Sequence, residues 1–425
     1  MKTKVKNATY DEVMALPREP HRLPKRPNLL FRTLMRVLGA PDLKQVGFSY
    51  TEDGMERAGG GPWLILMNHS AFIDLEIASR ILYPKAYCII CTSDGFVGKD
   101  WLMRSLGCIP TQKFVSDITL IRDMQYTLQQ LGTSILMYPE ASYSFDGTAT
   151  PLPRGLGALV KRLGVPVVMI KTEGAFQRDP LYNCLQKRDV RVSAKMTCLL
   201  SAEDTVSMKR QEIEKILDDA FHFDNFAWQR DNHISVDEPF RADGLERIMF
   251  KCPHCGAEGL MKGSGITLSC KNCSKEWTMD EYGQMHAVEG ETEFPHIPDW
   301  YAWERSEVRR SLEDGSYLLD TDVSIGMMVD HKYIYMVGDG HLRHDADGFV
   351  LTGCDGKLRY EQKPLESYSL YSDYYWYELG DIICIGGRDC LYYCFPKQEG
   401  VVAKTRIAAE ELYKLKDPKN RSRNR

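Results

Sequence analysis

A histidine five residues ahead of an aspartate, in Asn68-His69-Ser70-Ala71-Phe72-Ile73-Asp74, is the pair in this chain best suited to moving a proton. In one regular helix, five residues turn about 500°, which would send the two side chains apart. They meet if His69 lies in the turn after a strand and Asp74 in the first turn of the following helix. The carboxylate then accepts from one imidazole nitrogen, fixes the tautomer and stabilises the cation. The other nitrogen is left to take a proton from a hydroxyl. This is the orienting half of a Ser/His/Asp triad, with a substrate hydroxyl in place of the serine. Taken alone, the spacing also fits a capping aspartate beside an ordinary core histidine.

A second constellation is Cys252-Pro253-His254-Cys255 followed by Cys270-Lys271-Asn272-Cys273, a Cys-x2-Cys-x14-Cys-x2-Cys pattern. Two such turns fit tetrahedral thiolate ligation of Zn²⁺ in a ribbon too small to fold without metal. The ion is therefore expected to be structural, with Cys252, Cys255, Cys270 and Cys273 closing all four positions. An iron–sulfur site and a redox dithiol pair are the competing chemistries. Lys251, Lys262, Lys271 and Lys275 against Glu258 and Glu276 make a modest positive patch, which suits protein or lipid headgroups and does not favour nucleic acid. Cys88 and Cys91 share the x2 spacing but fall in a strand pattern, where positions three apart face opposite ways, so they read as buried thiols.

The elements around His69 alternate. Strand patterns at 63–67, 87–91, 134–138, 165–170 and 190–199 are separated by helix patterns at 75–82, 99–106, 117–131, 155–163 and 203–220. Short apolar strands spaced by helices predict an α/β domain with a mixed, largely parallel sheet flanked by helices. Loops at the carboxyl ends of such strands carry chemistry, and His69 follows one of them. The expected division is a basic N-terminal segment over 1–58, an α/β domain over 59–240 and a zinc ribbon over 245–288. A β-rich, barrel-like domain follows over 300–416, then a basic tail over 417–425.

Further blocks follow His69 in order. Gly107-Cys108-Ile109-Pro110-Thr111-Gln112-Lys113 puts a cation after a short strand. Tyr138-Pro139-Glu140-Ala141-Ser142-Tyr143 puts a carboxylate at a strand end, and Val165-Pro166-Val167 opens another buried strand. This order over residues 59–180 resembles the glycerol-phosphate and lysophosphatidate acyltransferase family. The resemblance implies transfer of a fatty acyl group from a thioester, acyl-CoA or acyl carrier protein, to a hydroxyl of a lysophospholipid or glycerol-phosphate acceptor. It implies His69 as general base, Asp74 as its orienter, and Asn68, Lys113, Glu140, Ser142 and Arg154 at the acceptor. The chain departs from the family's Pro-Glu-Gly-Thr-Arg loop, having Ala141 and Tyr143 for the glycine and arginine. Lys113 replaces an arginine, a point charge for a bidentate fork. The alternatives are a non-phosphate lipid acceptor, or a catalytically weak lipid-binding or regulatory protein on the same scaffold.

Composition bounds these readings. With 425 residues, two or three domains are expected, and 43% hydrophobic with 27% charged residues excludes a disordered or fibrous chain. No apolar run approaches the roughly 20 residues of a spanning helix, and no signal-peptide core is evident. A cytoplasmic protein, peripheral on the inner face of a membrane, is the expectation. Residues 1–44 hold ten Lys/Arg against four acids, although the whole chain is −5. Within them, Leu30, Leu34 and Leu38 share a helical face with Phe31 and Val37 beside them, while Arg32 and Arg36 take another. That pattern predicts an amphipathic helix at a surface of anionic lipid, or one packed on the next domain.

Overall fold

The computed structural model describes residues 3–115 and 117–417. Leu64–Met67 is buried at all four positions and lies near the middle of a seven-stranded sheet. The strand order is Ser49–Asp53, Ser193–Leu200, Val167–Glu173, Leu64–Met67, Ser134–Met137, Tyr87–Thr92, Cys108–Thr111. The sheet is mixed. Ser193–Leu200 runs antiparallel to Val167–Glu173, and the other pairings are parallel.

Successive side chains of a strand point to opposite faces, and the core divides accordingly. Ile65 and Met67 pack with Ile73, Ile77 and Ile81 on one face, while Leu64 and Leu66 pack with Met124, Leu128, Val160 and Leu217 on the other. Each such side chain contributes about 1.5–3 kcal/mol by leaving water. Both layers fix where Leu64–Met67 ends, and so where His69 begins.

The expected single helix at 203–220 is two, Ala202–Ser207 and Arg210–Ala220. The first opens on a capping box of Ser201 with Asp204, and at the start of the second the Lys209 N–H donates to Glu212, which restarts the helix. The basic N-terminal helix runs over Leu29–Gln45, with Asn28 accepting from the Phe31 N–H. It packs on Ile73–Leu82 through Gly39 and Leu43, but leaves Leu30, Leu34, Val37 and Leu38 exposed. Its two arginines do not form a free cationic face. Arg32 donates to the Pro84 carbonyl, and Arg36 lies 4.4 Å above the Tyr83 ring.

Beyond the α/β unit, Met261–Ser264, Thr267–Cys270, Glu276–Met279 and Met285–Ala287 form a four-stranded antiparallel sheet around the cysteines. The C-terminal unit opens on a helix, Ile297–Glu313. It continues as an antiparallel sheet from Leu319–Met328 to Leu391–Pro396 and ends in the helix Val402–Lys416. That sheet is curled, with Leu358–Gln362 and Tyr371–Trp376 as its end strands. Val5–Asn7, from the segment expected to stand apart, adds to it in parallel along Ile334–Asp345. Of the expected basic tail, residues 418–425 lie outside the described residues, and Asp417 pairs with Arg154.

Candidate active site

The turn after Leu64–Met67 brings His69 to Asp74, with Nδ1 3.2 Å from Oδ2. A carboxylate only accepts, so Nδ1 carries the proton and Nε2 keeps its lone pair. The same Oδ2 accepts from the Ser70 N–H at 2.8 Å and the Ala71 N–H at 3.1 Å, so Asp74 both caps the turn and orients the imidazole. Thr172 Oγ1 donates to the other oxygen at 3.4 Å. The ring sits between Tyr138 and Tyr143, with centroids at 4.1 and 4.3 Å, and stays 23% exposed while Asp74 is 1% exposed. Burial holds the His69 pKa below its ordinary value; Asp74 opposes that shift and the Lys113 charge adds to it. The imidazole is therefore neutral at pH 7, the form that accepts a proton.

Several residues expected at the acceptor are buried and hydrogen-bonded within the protein. Asn68 is fully buried, its Oδ1 accepting from Thr172 N and Oγ1 and its Nδ2 donating to the Thr172 carbonyl, so it ties the turn to Val167–Glu173. Glu140 is 1% exposed. Its Oε2 accepts from the His69 N–H at 3.2 Å, and its Oε1 from Thr150 N and Oγ1 at 2.7 and 3.1 Å. The Ser144 N–H donates to the His69 carbonyl at 3.3 Å, so loop 139–144 holds the histidine backbone at both its polar groups. Burial pushes the Glu140 carboxyl up to about 7, against its donors. Ser142 is 2% exposed and accepts from Arg406. Arg154 is committed to the C-terminal helix by its pair with Asp417 and its position over Tyr413.

Lys113 faces the site, with its ammonium 3.9 Å above the Tyr371 ring. Tyr371 belongs to the C-terminal sheet, and its hydroxyl donates to Asp94; Trp376 Nε1 donates to the same Asp94 oxygen at 3.1 Å. Asp373, two residues on, is pushed up to about 6 by burial, with Lys113 the leading charge pulling it back. Tyr138, Tyr143, Thr172, Arg406 and Asp373 are site residues that the sequence reading did not single out. The two tyrosines had a signal, since they flank Pro139-Glu140-Ala141-Ser142 directly.

The four cysteines converge as a group whose sulfurs lie within 4.8 Å of one another, Cys252 to Cys273 at 3.8 Å and Cys255 to Cys270 at 3.7 Å. Zn–S bonds of about 2.3 Å at tetrahedral angles put sulfurs roughly 3.8 Å apart, so this donor set fits such an ion.

Residues 48–172 match the model of the acyltransferase family. Over 137 residues the chain is 27% identical to a chloroplastic 1-acyl-sn-glycerol-3-phosphate acyltransferase, BAT2, of Brassica napus; the match takes in 31% of this chain and 39% of the relative. The chain thus spans about two-fifths of that relative's length. A solved structure, the 1-acyl-sn-glycerophosphate acyltransferase PlsC of Thermotoga maritima, aligns with 45% of this chain and 78% of its own at 16% identity and a TM-score of 0.36. The family match spans the His69 turn, the Lys113 segment and the Glu140 loop.

Proposed function

We propose that this protein is an acyltransferase that moves a fatty acyl group from an acyl thioester to a hydroxyl of a lysophospholipid or glycerol-phosphate acceptor. The observation that carries the reading is a partly exposed His69 held by Asp74, inside the segment that matches the acyltransferase family. His69 Nε2 takes the acceptor hydroxyl proton as the oxygen attacks the thioester carbonyl. The tetrahedral intermediate collapses, the C–S bond breaks, and the imidazolium returns the proton to the departing thiolate. Asp74 stabilises the imidazolium throughout. The donor is acyl-CoA or acyl carrier protein. The test is mass-spectrometric identification of the lipid formed from mixed acceptors and an isotope-labelled acyl thioester; no labelled ester with any acceptor sinks the reading.

A second acceptor class, lipids lacking a phosphate monoester, is favoured by one observation. Lys113 lies over Tyr371 near Asp373, and Arg154 is paired with Asp417, so both cations expected at the acceptor have protein partners. The same product analysis separates the two classes.

The acceptor's acyl chain brings the enzyme to a lipid surface. Among the described residues, no helix is long and apolar enough to cross a membrane. Leu30, Leu34, Val37 and Leu38 form an exposed apolar face, and Phe31 extends it to Trp101, which is 72% exposed. Burial of that face in the headgroup region supports peripheral binding. Because Arg32 and Arg36 are held by the protein, Leu34→Glu should weaken liposome co-sedimentation more than Arg36→Ala; equal effects would refute this face. For the cysteine cluster we propose one structural zinc per chain, which elemental analysis checks. It would close the ribbon whose Trp277 packs 5.1 Å from Trp300 of the C-terminal unit.

A further inference from the structure

The loop that clamps the His69 backbone contains a conformation it does not favour. Ala141 has a φ of +56°, in the left-handed region that crowds an L side chain. A non-glycine residue persists there only where its surroundings over-determine it. On one side the surroundings are local: Glu140 accepts from the His69 and Thr150 N–H groups, and the Ala141 N–H donates to the Tyr138 carbonyl.

On the other side they come from far along the chain. Arg406, on Val402–Lys416, donates to Ser142 Oγ at 3.1 Å. Its guanidinium is 3% exposed and lies 4.4 Å from the Phe145 ring centre, just past the loop. Its Nε donates to Glu410 at 3.3 Å, and Glu410 accepts from Arg305 and Ser369 at 2.8 and 2.7 Å. A buried guanidinium without partners would be costly, so this network fixes Arg406 before it fixes the loop.

We propose that Arg406 is a positioning residue for acyl transfer: by holding Ser142 it keeps the Ala141 turn ordered, and through Glu140 keeps His69 in register with Asp74. The inference rests on the acyl-transfer reading for its kinetic part only. The rival role is substrate contact, since Arg406 also lines an open cavity of about 560 Å³ with Thr150, Tyr301 and Arg305.

The test uses the full chain carrying Arg406→Ala or Ser142→Ala, each with and without Ala141→Gly, which removes the clash at positive φ. Hydrogen exchange is read on peptides containing His69 and Thr150, beside steady-state kinetics. We expect either single variant to speed exchange in both peptides and to lower kcat roughly tenfold, the scale of one charge-assisted hydrogen bond, with KM changed less than about twofold. Ala141→Gly should restore most of both losses, which a contact to substrate would not allow. Unchanged exchange in both peptides overturns the proposal, as does a loss confined to KM that glycine does not rescue. Ser142→Ala decides the matter if Arg406→Ala does not fold, because it leaves the Arg406–Glu410 pair in place. If the unaltered protein shows no turnover, the acyl-transfer reading fails, and exchange alone still decides whether Arg406 orders the loop.

Discussion

Between residues 68 and 74, Asp74 collects the His69 ring and the Ser70 and Ala71 N–H groups on one oxygen, all within its own turn. Between 138 and 144 the arrangement is the reverse. Ala141 sits at positive φ, and a contact that steadies the loop arrives from Arg406, on the last helix described. The ring and capping contacts of Asp74 need only the strand and helix on either side of it, while Glu140, Ser144 and Thr172 hold the same turn from elsewhere in the α/β domain. The second loop needs another domain in place. The contacts that orient His69 and the contact that braces the Ser142 loop thus lie at different ranges along the chain.

Removing the chemistry of the local loop should have the largest effect. His69→Ala is expected to lower kcat by roughly 10²–10⁴-fold with the fold retained, the usual range for a general base. Asp74→Asn belongs in the same range, because the amide no longer enforces a protonated Nδ1. Near-normal turnover by either purified variant would end the distinction, since the local loop would then not carry the chemistry. Glu140→Gln probes the link between the loops. The amide keeps the shape but presents an –NH₂ to one of the two N–H groups that the carboxylate accepts, His69 or Thr150. A loss of about 10–100-fold in kcat is expected, the scale of charged hydrogen bonds, and an effect as large as that of His69→Ala would mean Glu140 reacts directly.

The smallest effect is a shift in pH dependence. A general base works when neutral, so kcat/KM should rise with pH through the His69 pKa, with the midpoint of the rise below the ordinary histidine value, because burial holds that pKa down. Lys113 also lowers it, so Lys113→Met should move the acid limb to higher pH. A limb unmoved or moved to lower pH would place Lys113 outside electrostatic reach of the base. Asp74 acts in the opposite sense, so whatever activity Asp74→Asn retains should show its limb at lower pH.

How much of this could be read beforehand follows the same division. The His69–Asp74 geometry was legible because a strand running into a helix fixes both residues within one turn. The cysteine spacing likewise set out four sulfurs that the structure brings within 4.8 Å of one another. The exposed leucines of Leu29–Gln45 followed from helical periodicity, whereas the fates of Arg32 and Arg36 did not, since Pro84 and Tyr83 meet them only after folding. Asn68, Glu140 and Ser142 have side chains that could serve a substrate, and only the fold shows that they are buried and hydrogen-bonded within the protein. Arg406 left a trace, a lone arginine before Ile407-Ala408-Ala409, but nothing in that helix points to Ser142. Short elements set by distant partners, such as Val5–Asn7, leave still less.

That strand has a consequence for how the molecule is made. Val5 pairs with Ile334, so this strand must wait for one translated long after it. At about 5–20 residues per second the wait is roughly tens of seconds. In that interval the α/β sheet, whose strands all lie between Ser49 and Leu200, can complete itself while Val5–Asn7 stays unpaired. Arg406 is translated later still. A chain halted before it would hold His69 beside Asp74 and lack the Arg406 contact on Ser142, so the two loops would be completed at separate moments in the life of each molecule.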